Sequence, residues 1–146
     1  MADAHAHSLL YLVKQVELAI KASLDEVVAP FGLTSNQYTA LTVLHRNPGI
    51  TAARLARNSF VRIQSMAQLV EALEDRGLIQ RERDEHNKRQ NLISITEEGE
   101  RVLDALAEPV AALEAQVIEG LDDAEVVEFI STLRHIRHAF GGSHAH

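Results

Sequence analysis

The 146-residue chain contains no cysteine and no tryptophan, and has only three prolines and 4% aromatic residues. The lack of cysteine excludes disulfides, thiolate zinc sites and thiol-based redox sensing within the chain. It also fits a reducing compartment. No apolar run approaches the roughly 18 residues needed to span a bilayer, so no membrane partner is expected. Met1 to His7 offers neither a basic start nor an apolar stretch before a cleavage site. We therefore expect no secretory leader and a cytoplasmic location. A glycine-rich phosphate loop, a zinc-hydrolase His pair beside a base and a Cys nucleophile are all missing. No enzyme activity and no cofactor are expected.

What is present suits one globular domain: 46% hydrophobic and 24% charged residues, in a chain long enough to bury a core. Taken alone, a net charge of −7 disfavours a polyanionic partner. Its distribution reverses that inference. Residues 54–89 hold eight cations (Arg54, Arg57, Arg62, Arg76, Arg81, Arg83, Lys88, Arg89) against six anions. The rest of the chain holds six cations against fifteen anions. Local charge, not the bulk value, governs contact with phosphates.

Apolar residues at 9, 13, 16, 20, 24, 27 and 31 form one stripe of a long first helix, which Pro30 and Gly32 end. Thr34 and Gln37 have the spacing of a capping box. The second helix carries Tyr38, Leu41, Val43 and Leu44 and stops at Asn47-Pro48-Gly49. Thr51 caps a short third helix from Ala52 to Asn58, with Leu55 facing inward. Ser59-Phe60-Val61 turns into a fourth helix, whose buried stripe is Met66, Leu69, Val70 and Leu73. Gly77 is its natural C-terminal cap. Leu78 to Arg83 and Asn91 to Thr96 alternate as two paired strands around a charged tip, 84–90. Thr96 and two glutamates open a fifth helix with Leu103, Leu106, Val110, Leu113 and Val117 on one face, which Pro109 should kink. Asp122 and Glu125 cap a last helix bearing Val126, Phe129, Ile130, Leu133, Ile136 and Phe140.

The fold class is thus mainly α with a small β-hairpin wing (α+β). A winged helix-turn-helix occupies residues 34–96 within a single domain, 1–146. Helical segments 8–32 and 97–140 flank it with surplus apolar surface. A homodimer whose helical ends interdigitate is the economical use of that surface. Gln64, Ser65 and Gln68 face outward at the start of the fourth helix, where a recognition helix meets base edges in the major groove. Each glutamine can pair bidentately with adenine. Lys88 and Arg89 at the hairpin tip suit phosphates or a narrow minor groove. Arg54 and Arg57 are candidate backbone contacts, and Arg81 and Arg83 fit either that role or a structural salt bridge.

Val61-Arg62-Ile63-Gln64-Ser65-Met66, Leu69-Val70, Leu73 to Ile79, Asn87-Lys88-Arg89 and Ile93 to Gly99 together resemble the MarR family of bacterial regulators. The resemblance covers residues 8 to 140. It implies a homodimer that binds a pseudo-palindromic double-stranded DNA operator, commonly as a repressor. It also implies release by a small phenolic or anionic effector. Arg62 stands where the family often has a capping Ser or Thr, and Ile63 where it often has Pro. Asn87 replaces an Asp that commonly braces the wing arginine, so bracing weakens or passes to Asp84 or Glu85.

The resemblance places an effector pocket between the end helices and the winged region, lined by the first two helices. Tyr11, Tyr38, His45 and Arg46 are the aromatic or polar residues available there, and Arg46 could pair with an anion. Two alternative readings remain. His135 and His138 share a helix face at a spacing that can hold zinc, which suggests a zinc-responsive regulator also drawing on His5, His7, His144 and His146. No carboxylate completes that site, so no metal ligand is assigned. The other is a winged-helix module that binds protein instead of DNA. The polar face of Gln64, Ser65 and Gln68 disfavours it, because a protein-binding face is more apolar.

Overall fold

The computed structural model describes residues 8–140. Among these, α1 (Leu9–Val28) runs into a short 3-10 turn (Ala29–Phe31). α2 (Ser35–Arg46), α3 (Ala52–Asn58) and α4 (Ile63–Asp75) follow. The hairpin of β1 (Ile79–Arg83) and β2 (Asn91–Ile95) comes next, then α5 (Glu97–Val117) and α6 (Asp123–Ala139). This is the winged helix-turn-helix order expected from the sequence. α5 is one element across Pro109.

Side chains set the helix starts. Thr34 and Asp122 each sit in a full capping box, with Gln37 and Glu125 closing back on the cap amide. Thr51 and Thr96 accept from the amides of Arg54 and Gly99. Each such oxygen satisfies a backbone donor that the helix itself leaves unpaired. α4 is the exception: Arg62 occupies its N-cap with no side-chain hydrogen bond.

The strands pair antiparallel, with Ile79 opposite Ile95, Arg81 opposite Ile93 and Arg83 opposite Asn91. Ile50 adds a bridge: its amide donates to the Ile93 carbonyl at 3.2 Å, and Ile93 donates back at 2.7 Å. The strands are each one residue shorter than expected. Leu78 is used instead to close the end of α4, through its amide to the Leu73 carbonyl, and Thr96 caps α5.

One core joins these elements. Leu41 and Leu44 of α2, Leu55 of α3, Met66 and Leu73 of α4, Ile79 of β1 and Ile93 of β2 are all buried. Of the flanking helices, α1 and α5 each contribute one large fully buried side chain, Val28 and Leu106. Two polar ties reinforce these junctions. Asp25 of α1 accepts the Ser35 amide at 2.8 Å, a bond that also holds its carboxyl below the usual carboxylate range. Arg76, just past α4, donates to the carbonyls of Phe31 and Gly32 at 2.7 and 2.9 Å.

The outer parts of the flanking helices are different. Leu9, Leu10, Leu12, Val13 and Val16 of α1 are 47–78% exposed. α6 has no buried residue, and its Val127, Phe129, Ile130, Leu133 and Ile136 remain substantially open.

Gly99 seats the first turn of α5 on the hairpin. A Cβ there would collide with the Leu78 carbonyl oxygen and with the Ile95 side chain. Ala in a helix is ordinarily preferred to Gly by about 1 kcal/mol. Gly99→Ala should instead destabilise the protein by about 1–3 kcal/mol, the usual cost of overpacking, read as a lower denaturant midpoint. A stabilised variant would show that α5 can lift off the hairpin freely.

Candidate nucleic-acid interface

α3 and α4 form a helix-turn-helix pair whose inner faces, Leu55, Ala56, Met66, Val70 and Leu73, lie in the core. That burial fixes what α4 presents outward. Arg62, Gln64, Ser65 and Gln68 are all exposed along its first two turns. Arg54 and Arg57 are exposed on α3, and Lys88 and Arg89 on the hairpin tip. Among the described residues no ion pair engages any of these cations. They remain available to an external anion.

Other arginines of the same region are committed internally. Arg81 makes a bidentate bridge to Glu74, at 2.6 and 3.0 Å. The bond pushes the Glu74 carboxyl down and the Arg81 guanidinium up. It staples the hairpin to α4, so the salt-bridge reading of Arg81 is the one the structure carries. Arg83 lies exposed at the end of β1 without such a bridge among the described residues.

The wing tip is ordered by its own short-range bonds. Asp84 accepts the His86 amide at 2.9 Å and the Gln90 side-chain amide at 2.9 Å. Its amide donates to the Gln90 carbonyl at 3.1 Å. These bonds, Gln90 first, hold the Asp84 carboxyl below its usual range. Asn87 accepts the backbone amide of Arg89 at 3.2 Å. The brace at this tip therefore acts on the backbone. Neither Asp84 nor Glu85 bonds to the Arg89 guanidinium.

Phe60 lies between α3 and α4, 86% exposed and in left-handed backbone at φ 59°. That conformation costs a non-glycine residue about 1–2 kcal/mol. Sequence reasoning placed Phe60 in a turn and assigned it no role. The available signal was a bulky aromatic at a helix end, where glycine is the common residue.

The four expected effector residues do not share the described cleft. A cleft of about 230 Å³ lies between α1 and α5, lined by Val16, Ile20, Ser23, Leu113, Gln116 and Val117 among others. None of Tyr11, Tyr38, His45 and Arg46 lines it. Tyr11 is half exposed near the start of α1. Tyr38 packs against the core, and burial first, then the Glu114 charge, pushes its hydroxyl up. His45 Nδ1 meets Glu100 at 2.7 Å, tying α2 to α5, and Arg46 is exposed in the last turn of α2. His135 and His138 lie on α6, where no metal-holding group of three ligands occurs among the described residues. His5, His7, His144 and His146 lie outside the described residues.

An exposed polar helix start, held by a buried partner helix and flanked by a cationic hairpin, defines a winged helix-turn-helix protein. A family model described as MarR family matches residues 31–90. Over this winged region the chain is similar to MarR-family transcriptional regulators. It is similar to an HTH-type transcriptional repressor of Mycobacterium tuberculosis, 28% identical over 119 residues, covering 82% of this chain and 86% of that one. The transcriptional regulator HosA of Escherichia coli is 29% identical over 108 residues, covering 73% and 79%. Among solved structures, the repressor CouR bound to a 23-mer DNA duplex superposes with a TM-score of 0.83 at 26% identity, covering 93% and 96%. CouR of Rhodococcus jostii has also been solved with p-coumaroyl-CoA, at a TM-score of 0.80 and 26% identity, covering 92% and 95%. These named relatives are regulators, not enzymes.

The wing tip has a measurable pH signature. A carboxyl with a depressed folded-state pKa orders its surroundings above the usual carboxylate range and loses that effect as pH falls through the depressed value. An NMR titration should place Asp84 below its unfolded value, and Gln90→Ala should move it back up. An unmoved Asp84 in that variant would remove Gln90 as the main cause.

Proposed function

We propose that the chain is a ligand-responsive, DNA-binding transcriptional repressor that acts as a homodimer. The exposed start of α4 carries this reading. Gln64, Ser65 and Gln68 offer hydrogen bonds to base edges, with unpaired cations on either side. Arg54, Arg57 and Arg62 are placed for phosphates beside the helix, and Lys88 and Arg89 for the backbone or minor groove flanking it. The relative CouR, solved on duplex DNA, supports the mode, and the relatives named as repressors support the sign of regulation.

The dimer reading rests on the apolar faces of α1 and α6, whose large aliphatic and aromatic side chains stay exposed in the single chain. Residues 8–32 and 97–140 are the dimerisation helices, and 34–96 the DNA-binding region. Two α4 helices then enter successive major grooves of a pseudo-palindromic operator about one helical turn apart. The effector is a small aromatic or anionic molecule, a class to which the p-coumaroyl-CoA seen on CouR belongs. It weakens DNA binding by favouring the dimer geometry that fits the operator less well.

The purified protein should sediment as a dimer and prefer its own upstream DNA to a scrambled duplex, with a steep loss of affinity as salt rises. Arg89→Ala should lower the salt slope by about 1, the signature of one lost phosphate contact. Arg81→Ala should leave the slope nearly unchanged, because Glu74 already neutralises it. A folded dimer that ignores duplex DNA at low salt would end this reading.

A further inference from the structure

The chain makes the same helix-ending turn three times. After the 3-10 turn, Gly32 donates to Ala29 and Leu33 to Val28. After α4, Gly77 donates to Glu74 and Leu78 to Leu73. After α3, Phe60 donates to Arg57 and Val61 to Ala56. The paired bonds define one capping motif, whose next-to-last residue takes left-handed backbone and whose last residue returns an apolar side chain inward. Leu33, Leu78 and Val61 do return inward, the first two buried and the third half-buried against the core. Gly32 and Gly77 sit at φ 71° and 72° at no steric cost, as the motif favours. At the third turn the same position holds Phe60, at φ 59°.

Nothing in the fold accounts for that choice. Phe60 is 86% exposed and takes no part in the core, so its ring contributes little packing. The turn is frustrated in a second way. Ser59 Oγ and Asn58 Nδ2 are buried with no partner among the described residues. Strained backbone and unmatched polar groups concentrated in one short segment are the pattern of a site kept for binding rather than stability.

The position says what the ring meets. Phe60 lies two residues before the N-cap of α4, within about 8 Å of chain path from the helix start that faces the groove. Exposed Arg57 and Arg62 flank it in sequence, and Ile63, the first residue of α4, is 51% exposed. A phenyl ring offers neither charge nor hydrogen bond, so it cannot read phosphates or polar base edges. The major groove displays one apolar group, the thymine methyl. Wedges that unstack bases enter through the minor groove, which the start of α4 does not face. The cationic rim matches a polyanion better than an apolar protein surface.

We propose that Phe60, supported by Ile63, is a specificity-determining residue that reads thymine methyl groups in the major groove at the start of α4. This rests on the DNA-binding reading above and adds a base preference that Gln64, Ser65 and Gln68 do not supply. It predicts thymine in each half-site where the operator meets the turn between α3 and α4. The strained Phe is retained because glycine would free the turn and lose the contact.

The test uses the full-length protein and duplexes recovered from a randomised library by in-vitro selection. Each duplex is remade with uracil in place of thymine, which removes only the methyl groups. The wild type should lose affinity by roughly three- to fivefold per contacted methyl, the factor expected for uncovering one methylene-sized group. Phe60→Ala and Phe60→Gly should bind thymine and uracil duplexes with a ratio smaller by that factor. The thermal midpoint of Phe60→Gly should match or exceed the wild type. An unchanged thymine-to-uracil ratio in the variants overturns the proposal while leaving DNA binding intact. Equal losses on both duplexes overturn it as well, since the contact is then not to methyl. A marked drop in the Phe60→Gly midpoint would assign the ring to the fold. Failure to enrich any duplex with folded protein sinks this proposal and the DNA-binding reading together.

Discussion

Every other feature depends on one continuous core that closes between Val28 and Leu106. All its members lie between those two residues, and the fully buried leucines and isoleucines of α2, α3, α4 and the hairpin meet there. The hairpin alone could not be stable, since an isolated two-stranded ribbon is marginal in water. It is held because Ile79 and Ile93 point into the core, Ile50 bridges Ile93, and α5 lies down on it at Gly99. The absence of a side chain at Gly99 lets the first turn of α5 reach the Leu78 carbonyl, and Thr96 ties the same corner by bonding to Gly77. The hairpin, α4 and the start of α5 thus share one core and one bonded corner.

The arginines of this unit divide by their partners. Arg76 and Arg81 are cations of the winged region that the fold consumes, one on the carbonyls at the end of the 3-10 turn, the other on Glu74. Both bonds join elements whose relative placement the interface needs. The remaining cations stand on the rim of α4 and at the wing tip. The proposed DNA face follows from this division: Arg76 and Arg81 are committed to partners within the fold, while the cations around α4 and the wing tip are not. The weak cap of α4 fits the same pattern. Arg62 bonds no backbone donor, so the positive end of the helix and the guanidinium both remain open to a phosphate.

Outside the core the chain is apolar without being buried. α6 and the outer part of α1 carry aliphatic and aromatic side chains that their own chain does not cover. In the proposed dimer these surfaces meet a second copy, and the cleft between α1 and α5 lies next to that junction. His45–Glu100 and Asp25–Ser35 connect the flanking helices to α2. A shift of α1 or α5 on effector binding would reach the winged region through these ties and through Val28 and Leu106. Repression and relief would then be two arrangements of one rigid reading head relative to its twin.

Element order, helix caps and the outward polar start of α4 were legible in the residues. Periodicity, capping oxygens and helix-ending glycines act over three to five residues, and Thr34, Thr51, Gly77 and Asp122 declare themselves locally. The charge surplus of residues 54–89 was equally plain. Tertiary structure alone decided the rest. Arg76 finds its carbonyl partners 44 and 45 residues away, and His45 finds Glu100 at 55. The cleft between α1 and α5 is lined by residues other than Tyr11, Tyr38, His45 and Arg46. Phe60 read as part of a turn, but its exposure and left-handed backbone follow from Val61 being drawn into the core beside it. Short-range bonding chooses the elements. Burial between distant elements chooses which side chains remain free to act.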